Sequence, residues 1–289
     1  MQIGIYYAYW EKEWGGDFLP YVKKVKDLGF DILEVATGGF AKQNEDYFRV
    51  LKQAADDNGI ILTGGYGPEP AYDLSSDNPA VVAAGFEKYK DMFKKMSIAG
   101  IHWLGGGLYS YWPVDFGKPF DKPAALERSI KNMRTLADMA ADYDICLGME
   151  SLNRFEGYLL NTSEETRAYV DAVDRKNVYV MLDTFHMNIE EDSMADAIRT
   201  AGPRLGHFHV GEANRRPPRA ESRIPWEEIA KALKEINYQG ALVMEPFVRM
   251  EGQVGKDIHM WHDLSNGCPD SVLDKDAADS VVFLRSIFE

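Results

Sequence analysis

Eight short apolar runs, each followed by a segment of helical period, constrain this chain more than any other feature. The runs are Ile3–Tyr7, Ile32–Ala36, Ile60–Gly64, Ile101–Leu104, Ile145–Glu150, Val178–Asp183, Leu205–Val210 and Ala241–Phe247. They are rich in branched and aromatic residues and read as strands. The helical patterns are Tyr21–Leu28, Tyr47–Asp57, Val81–Met96, Leu126–Ala141, Glu164–Val173, Met194–Thr200, Trp226–Ile236 and Ala277–Ile287. Glycine marks several helix ends, as in Leu28-Gly29-Phe30, Asn58-Gly59, Ala99-Gly100 and Gln239-Gly240. Parallel strands need long crossovers, and every segment between runs can supply one. Repeated eight times, the alternation predicts an α/β chain, a (β/α)8 TIM barrel in one domain over residues 1–289. A doubly wound sheet could be written from the same units. However, Tyr7-Ala8-Tyr9-Trp10 stands where its G-x-G-x-x-G fingerprint would follow the first strand. Gly105-Gly106-Gly107 after the fourth strand admits two readings, backbone brought close to a ligand or a flexible exit.

Charge narrows the partners. The net charge is −14 and the sequence pI about 4.9, which disfavours nucleic acid and anionic membranes. The one dense basic cluster, Asn214 to Arg219 with Arg223 behind it, is too short for a nucleic-acid surface. Cys146 and Cys268 form no C-x-x-C pair and no disulfide framework. The N-terminal stretch lacks a basic region followed by a continuous apolar one, and no apolar run reaches membrane-spanning length. These features lead us to expect a soluble, cytoplasmic protein.

The active site of such a barrel forms at the carboxyl ends of the strands. The last four strands end in Glu150, Asp183, His209 and Glu245, four groups able to bind a metal at one level of the barrel. Three carboxylates held together without a cation would raise one another's pKa values. A divalent ion removes that problem, and three oxygen donors with one nitrogen favour Mn2+, Co2+ or Mg2+ over thiolate-rich zinc. His207 faces the same interior as His209 but lies deeper, where a hydrogen-bonded core histidine is expected. His186, three residues past Asp183, is expected to leave the strand and reach a substrate from the loop. Tyr6, Trp10, Trp14, Tyr66, Trp112 and Phe247 follow strand ends and offer apolar faces suited to a sugar ring. Glu156 and Arg215 lie in loops after ligand-bearing strands and could bond sugar hydroxyls. The run Glu190-Glu191-Asp192 before Ser193 reads as negative charge favoured at a helix N-terminus.

GIYYAYWEKEW, LGFDILEVA, NGIILTGGYGP, ESLNRFE, VMLDTFHMNIEEDS, LGHFHVGEANRR and VMEPFV together resemble the ketose 3-epimerases, the D-tagatose 3-epimerase and D-psicose (allulose) 3-epimerase family. The resemblance runs over nearly the whole chain and implies a barrel of the xylose-isomerase-like kind. It implies one divalent ion per subunit on Glu150, Asp183, His209 and Glu245, with Glu150 and Glu245 doubling as the acid–base pair. His186, Glu156 and Arg215 would bind the substrate around O1 to O3. Tyr6, Trp14, Gly67, Gly107, Leu108, Trp112 and Phe247 would surround its distal carbons. The implied activity is C3 epimerisation of free ketohexoses, D-fructose with D-psicose or D-tagatose with D-sorbose, through a metal-stabilised cis-enediolate. A homo-oligomer, dimer or homotetramer, is implied as well.

Other activities fit parts of the same pattern. An aldose–ketose isomerase would need the same cluster and is separated by its products. A phosphorylated substrate would rest on a single loop arginine pair. A metal-dependent nuclease is disfavoured by the −14 charge. A non-catalytic sugar-binding barrel would be expected to lack one of the two glutamates.

Overall fold

A computed structural model describes residues 1–289. Eight parallel strands close into a barrel: β1 (Ile3–Tyr6), β2 (Ile32–Ala36), β3 (Ile61–Gly65), β4 (Trp103–Gly106), β5 (Cys146–Glu150), β6 (Val178–Asp183), β7 (Leu205–Val210) and β8 (Ala241–Met244). Closure is made by β8 against β1, with Ile3 opposite Leu242 and Ile5 opposite Met244. Around it run α1 (Leu19–Asp27), α2 (Glu45–Asn58), α3 (Pro79–Ala99), α4 (Lys122–Ala141), α5 (Ser163–Val173), α6 (Thr184–Glu190), α7 (Met194–Ala201), α8 (Trp226–Glu235), α9 (Gly252–Asp257) and α10 (Asp270–Phe288). The expected TIM barrel is therefore the observed fold. No helix is long and apolar enough to cross a membrane, and both cysteines are free.

Side chains alternate across each strand, so one contact across the barrel identifies its inward set. Glu34 on β2 reaches His209 on β7 at 2.7 Å, which turns Ile32, Glu34 and Ala36 inward along with His207 and His209. Outward residues such as Leu33, Val35, Phe208 and Leu242 are fully buried under the helices. At the amino end the interior is closed by the indole of Trp103, stacked on His207 with centroids 5.2 Å apart and planes 15° apart. Glycine makes room for it. A Cβ on Gly148 would lie 2.4 Å from the Trp103 ring, and one on Gly206 2.6 Å from it.

The fourth strand runs two residues later than the sequence pattern suggested. Ile101 instead closes α3, its amide donating to the Met96 carbonyl at 2.9 Å. Gly105 and Gly106 belong to the strand because nothing larger fits there. A Cβ on Gly105 would stand 2.4 Å from Met181 Sδ, and Gly106 takes φ +122° with the Tyr66 carbonyl 2.4 Å from any Cβ. Strand β8 stops at Met244, so Glu245 lies one residue beyond it, tied by its amide to the Val210 carbonyl at 3.3 Å. The segment after Asp183 is no loop: Asp183 Oδ1 accepts the Phe185 amide at 2.9 Å and caps α6, which carries His186.

The acidic run 190–192 also does something other than expected. Glu190 takes the Arg154 guanidinium at 2.8 and 2.9 Å, and Glu191 accepts the Ser163 amide at 2.6 Å. It thereby holds the β5–α5 loop. The helix that follows is capped by Ser193 itself, whose hydroxyl accepts the Asp196 amide at 3.2 Å.

Candidate active site

Register places the four expected metal-binding groups together. Asp183 on β6 is the direct neighbour of His209 on β7. Glu150 sits opposite Met181, two residues before Asp183, and His209 opposite Val243, two residues before Glu245. All four project inward, and one donor atom from each lies within 4.8 Å of the others. Glu150, Asp183 and His209 are buried and Glu245 nearly so.

Electrostatics shows how unsatisfied this cluster is. Burial, then the neighbouring Glu245, pushes the Glu150 carboxyl well above the usual carboxylate range. Burial likewise pushes Asp183 up to about 6, against the pull of Arg215. Burial also penalises ionised Glu245, but His209 and Arg215 beside it outweigh that and hold its pKa down. Glu150 Oε1 and His209 Nδ1 are buried with no hydrogen-bond partner, and they lie 3.8 Å apart. Buried polar atoms of this kind call for a ligand. Three carboxylates and an imidazole with such orphaned donors fit a divalent cation, whose charge would keep Glu150 and Asp183 ionised beside Glu245.

Arg215 joins the cluster from the loop after β7. Its Nη1 donates to Asp183 Oδ2 at 3.0 Å and to Glu245 Oε2 at 2.9 Å, while Nη2 lies 3.4 Å from Glu156 Oε1. The guanidinium carbon stands 3.7 Å from the Phe185 ring centroid, a cation–π contact that fixes its plane. Its backbone is left-handed, at φ +66°, held by the amide donated to Glu212 and the carbonyl taken by Phe247.

His186 enters from α6 with its orientation set. The Asn153 backbone amide donates to His186 Nδ1 at 3.1 Å, and Asn153 Nδ2 lies 2.8 Å from the same atom. An accepting Nδ1 leaves the proton on Nε2, which faces Glu150 Oε1 at 3.8 Å and Asp183 Oδ2 at 3.9 Å. Burial, then the charge of Arg215, lowers its pKa well below that of a free imidazole, so His186 is a neutral donor.

These groups open into a cavity of about 370 Å3. Tyr6, Trp14, Trp112 and Phe247 wall its outer part, with Trp14 6.1 Å from Phe247 and 6.0 Å from Trp112 between ring centroids. Trp14 Nε1 donates to Asp257 Oδ2 at 2.8 Å, tying this wall to α9. Gly67 and Gly107 line the same side; a Cβ on Gly67 would stand 3.0 Å from the Trp112 ring. Tyr66, Glu156, His186 and Arg215 also face the cavity. Two residues picked from the sequence do not. Leu108 is fully buried in the core, and Leu152 is a leucine that lines the cavity. Trp10 turns into the core, stacking on Tyr21 and donating to Asp274 at 2.7 Å.

Two residues of the site escaped the sequence reading. Asn153 pairs with a histidine 33 residues away, and no local pattern joins them. Glu34 did carry a signal: an acid inside Ile32-Leu33-Glu34-Val35-Ala36, where a buried carboxylate needs a partner.

Residues 22–264 match the family model for the xylose isomerase-like TIM barrel. The chain is 49% identical over 287 residues to a D-psicose 3-epimerase of Agrobacterium fabrum, covering 99% of each protein. It is 47% identical to a D-psicose 3-epimerase of Enterocloster bolteae, over all of this chain and 96% of that one. A crystal structure of D-psicose 3-epimerase with D-tagatose, from Clostridium cellulolyticum H10, superposes with a TM-score of 0.98 at 48% identity, covering both chains fully.

Proposed function

The chain belongs to the xylose isomerase-like TIM barrels and, within them, to the ketose 3-epimerases, and from that premise we propose that it inverts C3 of free ketohexoses, D-psicose and D-fructose first among them. One observation carries this reading: Glu150 and Glu245, from β5 and from the end of β8, flank the Asp183–His209 pair at the base of an aromatic-walled cavity.

Inverting C3 requires a proton to leave one face beside the C2 carbonyl and another to arrive on the opposite face. Two carboxylates on opposite sides of the carbon are enough. With D-fructose, Glu150 takes the C3 proton and Glu245 supplies the new one; the reverse reaction exchanges the roles. Glu150, Asp183, His209 and Glu245 would hold one divalent ion, Mn2+, Co2+ or Mg2+, which supplies positive charge where O2 becomes negative. His186 offers its Nε2 proton and Arg215 its guanidinium to the oxygens around C1 to C3, with Glu156 accepting from a hydroxyl. Tyr6, Trp14, Trp112 and Phe247 cover the distal carbons and, with Gly67 and Gly107, leave the space that decides which ketose fits. The reading includes a cytoplasmic homo-oligomer, dimer or tetramer, which sedimentation of the purified protein checks.

The test is product analysis from D-fructose in heavy water with the metal-loaded protein. Epimerisation gives D-psicose with deuterium at C3. Glucose or mannose labelled at C2 would instead make the protein an aldose–ketose isomerase.

A further inference from the structure

Glu34 lies in the middle of β2 with its side chain turned into the barrel, 1% exposed, and the chemistry above makes no use of it. Its Oε1 meets His209 Nε2 at 2.7 Å, and its Oε2 accepts the Thr63 hydroxyl at 2.8 Å. His207 Nε2 stands 3.1 Å from Oε2 but lacks hydrogen-bonding geometry. The other nitrogen of His209, Nδ1, has no hydrogen-bond partner and lies 3.6 Å from Glu245 Oε2 and 3.8 Å from Glu150 Oε1. One imidazole thus joins two layers of the barrel, with a carboxylate below it and the candidate metal cluster above.

We propose that Glu34 is a positioning residue: by accepting the Nε2 proton of His209 it fixes the tautomer and ring rotation that present Nδ1 to the divalent ion. The inference rests on reading His209 as a metal ligand. An ionised carboxylate can only accept, so the proton between the two belongs to Nε2 and the Nδ1 lone pair points upward. A negative partner also makes the imidazole a stronger donor to a metal, and outer partners of this kind are typically worth 10- to 100-fold in metal affinity. Thr63 and His207, the latter stacked on Trp103, keep the Glu34 carboxylate from turning away.

Glu34, His207 and His209 could themselves be taken for a second ion site, since their donors also lie within 4.8 Å of one another. The hydrogen bonds argue otherwise. His209 satisfies one oxygen of Glu34 and Thr63 the other, so His207 Nε2 is the one orphan the lower group adds, whereas Glu150 Oε1 and His209 Nδ1 are both orphaned above, among three carboxylates.

The experiment is calorimetric titration of the metal-free full-length chain with Mn2+, in the wild type and in Glu34→Gln and Glu34→Asp, alongside the visible spectrum of each Co2+-loaded form. The wild type is expected to bind one equivalent. Glu34→Gln should bind roughly 10- to 100-fold more weakly with a changed Co2+ spectrum, while Glu34→Asp, which keeps the charge, recovers part of the loss. A merely structural role would lower the melting temperature of the metal-free variants and leave affinity and spectrum alone, which would overturn the proposal. A second Mn2+ equivalent in the wild type, lost in Glu34→Gln, would overturn it in favour of a bridged pair of ions. A wild type that binds no divalent ion would remove the functional reading and this inference with it; normal wild-type binding with an unaffected Glu34→Gln removes the inference alone. Should Glu34→Gln not fold, 15N-edited spectra of the Zn2+-loaded wild type decide: the His209 proton on Nε2 supports the proposal, and on Nδ1 overturns it.

Discussion

The two halves of the barrel mouth are built from opposite materials. Strands β1 to β4 finish in Tyr6, Ala36, Gly65 and Gly106, whereas β5 to β8 lead to Glu150, Asp183, His209 and Glu245. The first half offers space bounded by aromatic faces, with Gly67 against Trp112 and Trp14 against Phe247, the one ring that reaches it from the segment after β8. The second half offers charge, locked by the Asp183–His209 register, the Arg215 fork and the Asn153 clamp on His186. On the proposed reading, the reaction rests on β5 to β8 and the choice of ketose mainly on the apolar half. A change in the apolar half should alter which sugar is accepted and leave the metal in place, while a change in the charged half should remove the reaction whichever sugar is offered.

Removing the cation attacks the charged half as a whole, and its effect should be the largest. Chelation is expected to abolish epimerisation and to lower the melting temperature. Loss of an ion present at 100 times its Kd costs about 2.7 kcal/mol, or roughly 4–5 °C for a chain of this size. Scanning calorimetry with and without chelator, followed by metal restoration, measures both. Next come Glu150→Gln and Glu245→Gln. Measured at saturating Mn2+, each should lose roughly 10²- to 10⁴-fold in kcat, the range general acid–base groups supply. If either variant kept near wild-type turnover and still incorporated solvent deuterium at C3, the two-carboxylate scheme would be wrong.

The apolar half is probed by Gly67→Ala. The added methyl would stand 3.0 Å from Cε3 and 3.2 Å from Cβ of Trp112, so the indole must shift by a few tenths of an ångström. One methyl in a pocket discriminates by about 1–3 kcal/mol, or roughly tenfold and upward in relative kcat/KM between two ketoses. A panel of free ketoses should show the order of preference changed and the Mn2+ affinity unchanged. An affinity that falls in step with activity would mean the halves are coupled.

How much of this could be read from the chain follows the same division. The charged strand ends were legible because each is a polar residue closing an apolar run, and strand-end position already fixes the level in a parallel barrel. Glu34 was legible in principle by the same anomaly, an acid among Ile32, Leu33, Val35 and Ala36. The fourth strand was misplaced because Gly105 and Gly106 give no strand signal; they are there for what would collide, the Met181 sulfur and the Tyr66 carbonyl. Trp10 was expected at the pocket from its place after the first strand and Leu108 from the resemblance alone, yet both are packed in the core, since neither the local pattern of a loop nor a shared motif says which way a side chain turns. Helix α6 was missed because the Asp183 side chain, already noticed as a metal donor, also caps it.

The smallest expected effect asks whether the charged half can itself be divided. Asn153 touches no metal-binding group; its amide Nδ2 lies 2.8 Å from His186 Nδ1 and 3.2 Å from Glu156 Oε1, and its Oδ1 is occupied by the Phe155 amide at 2.9 Å. Asn153→Ala deletes these three side-chain bonds but leaves the backbone amide on His186 Nδ1, so the tautomer survives while the hold on the ring, on Glu156 and on the Phe155 turn loosens. A neutral hydrogen bond nets about 1 kcal/mol, so a roughly fivefold loss in kcat/KM is expected, carried mainly by KM if His186 and Glu156 bind ground state and transition state alike. The Mn2+ affinity of this variant should match the wild type. A weaker metal site in Asn153→Ala would mean that substrate-binding groups and metal-binding groups form one mechanical unit, and the separation drawn above would then stop at the boundary between β4 and β5.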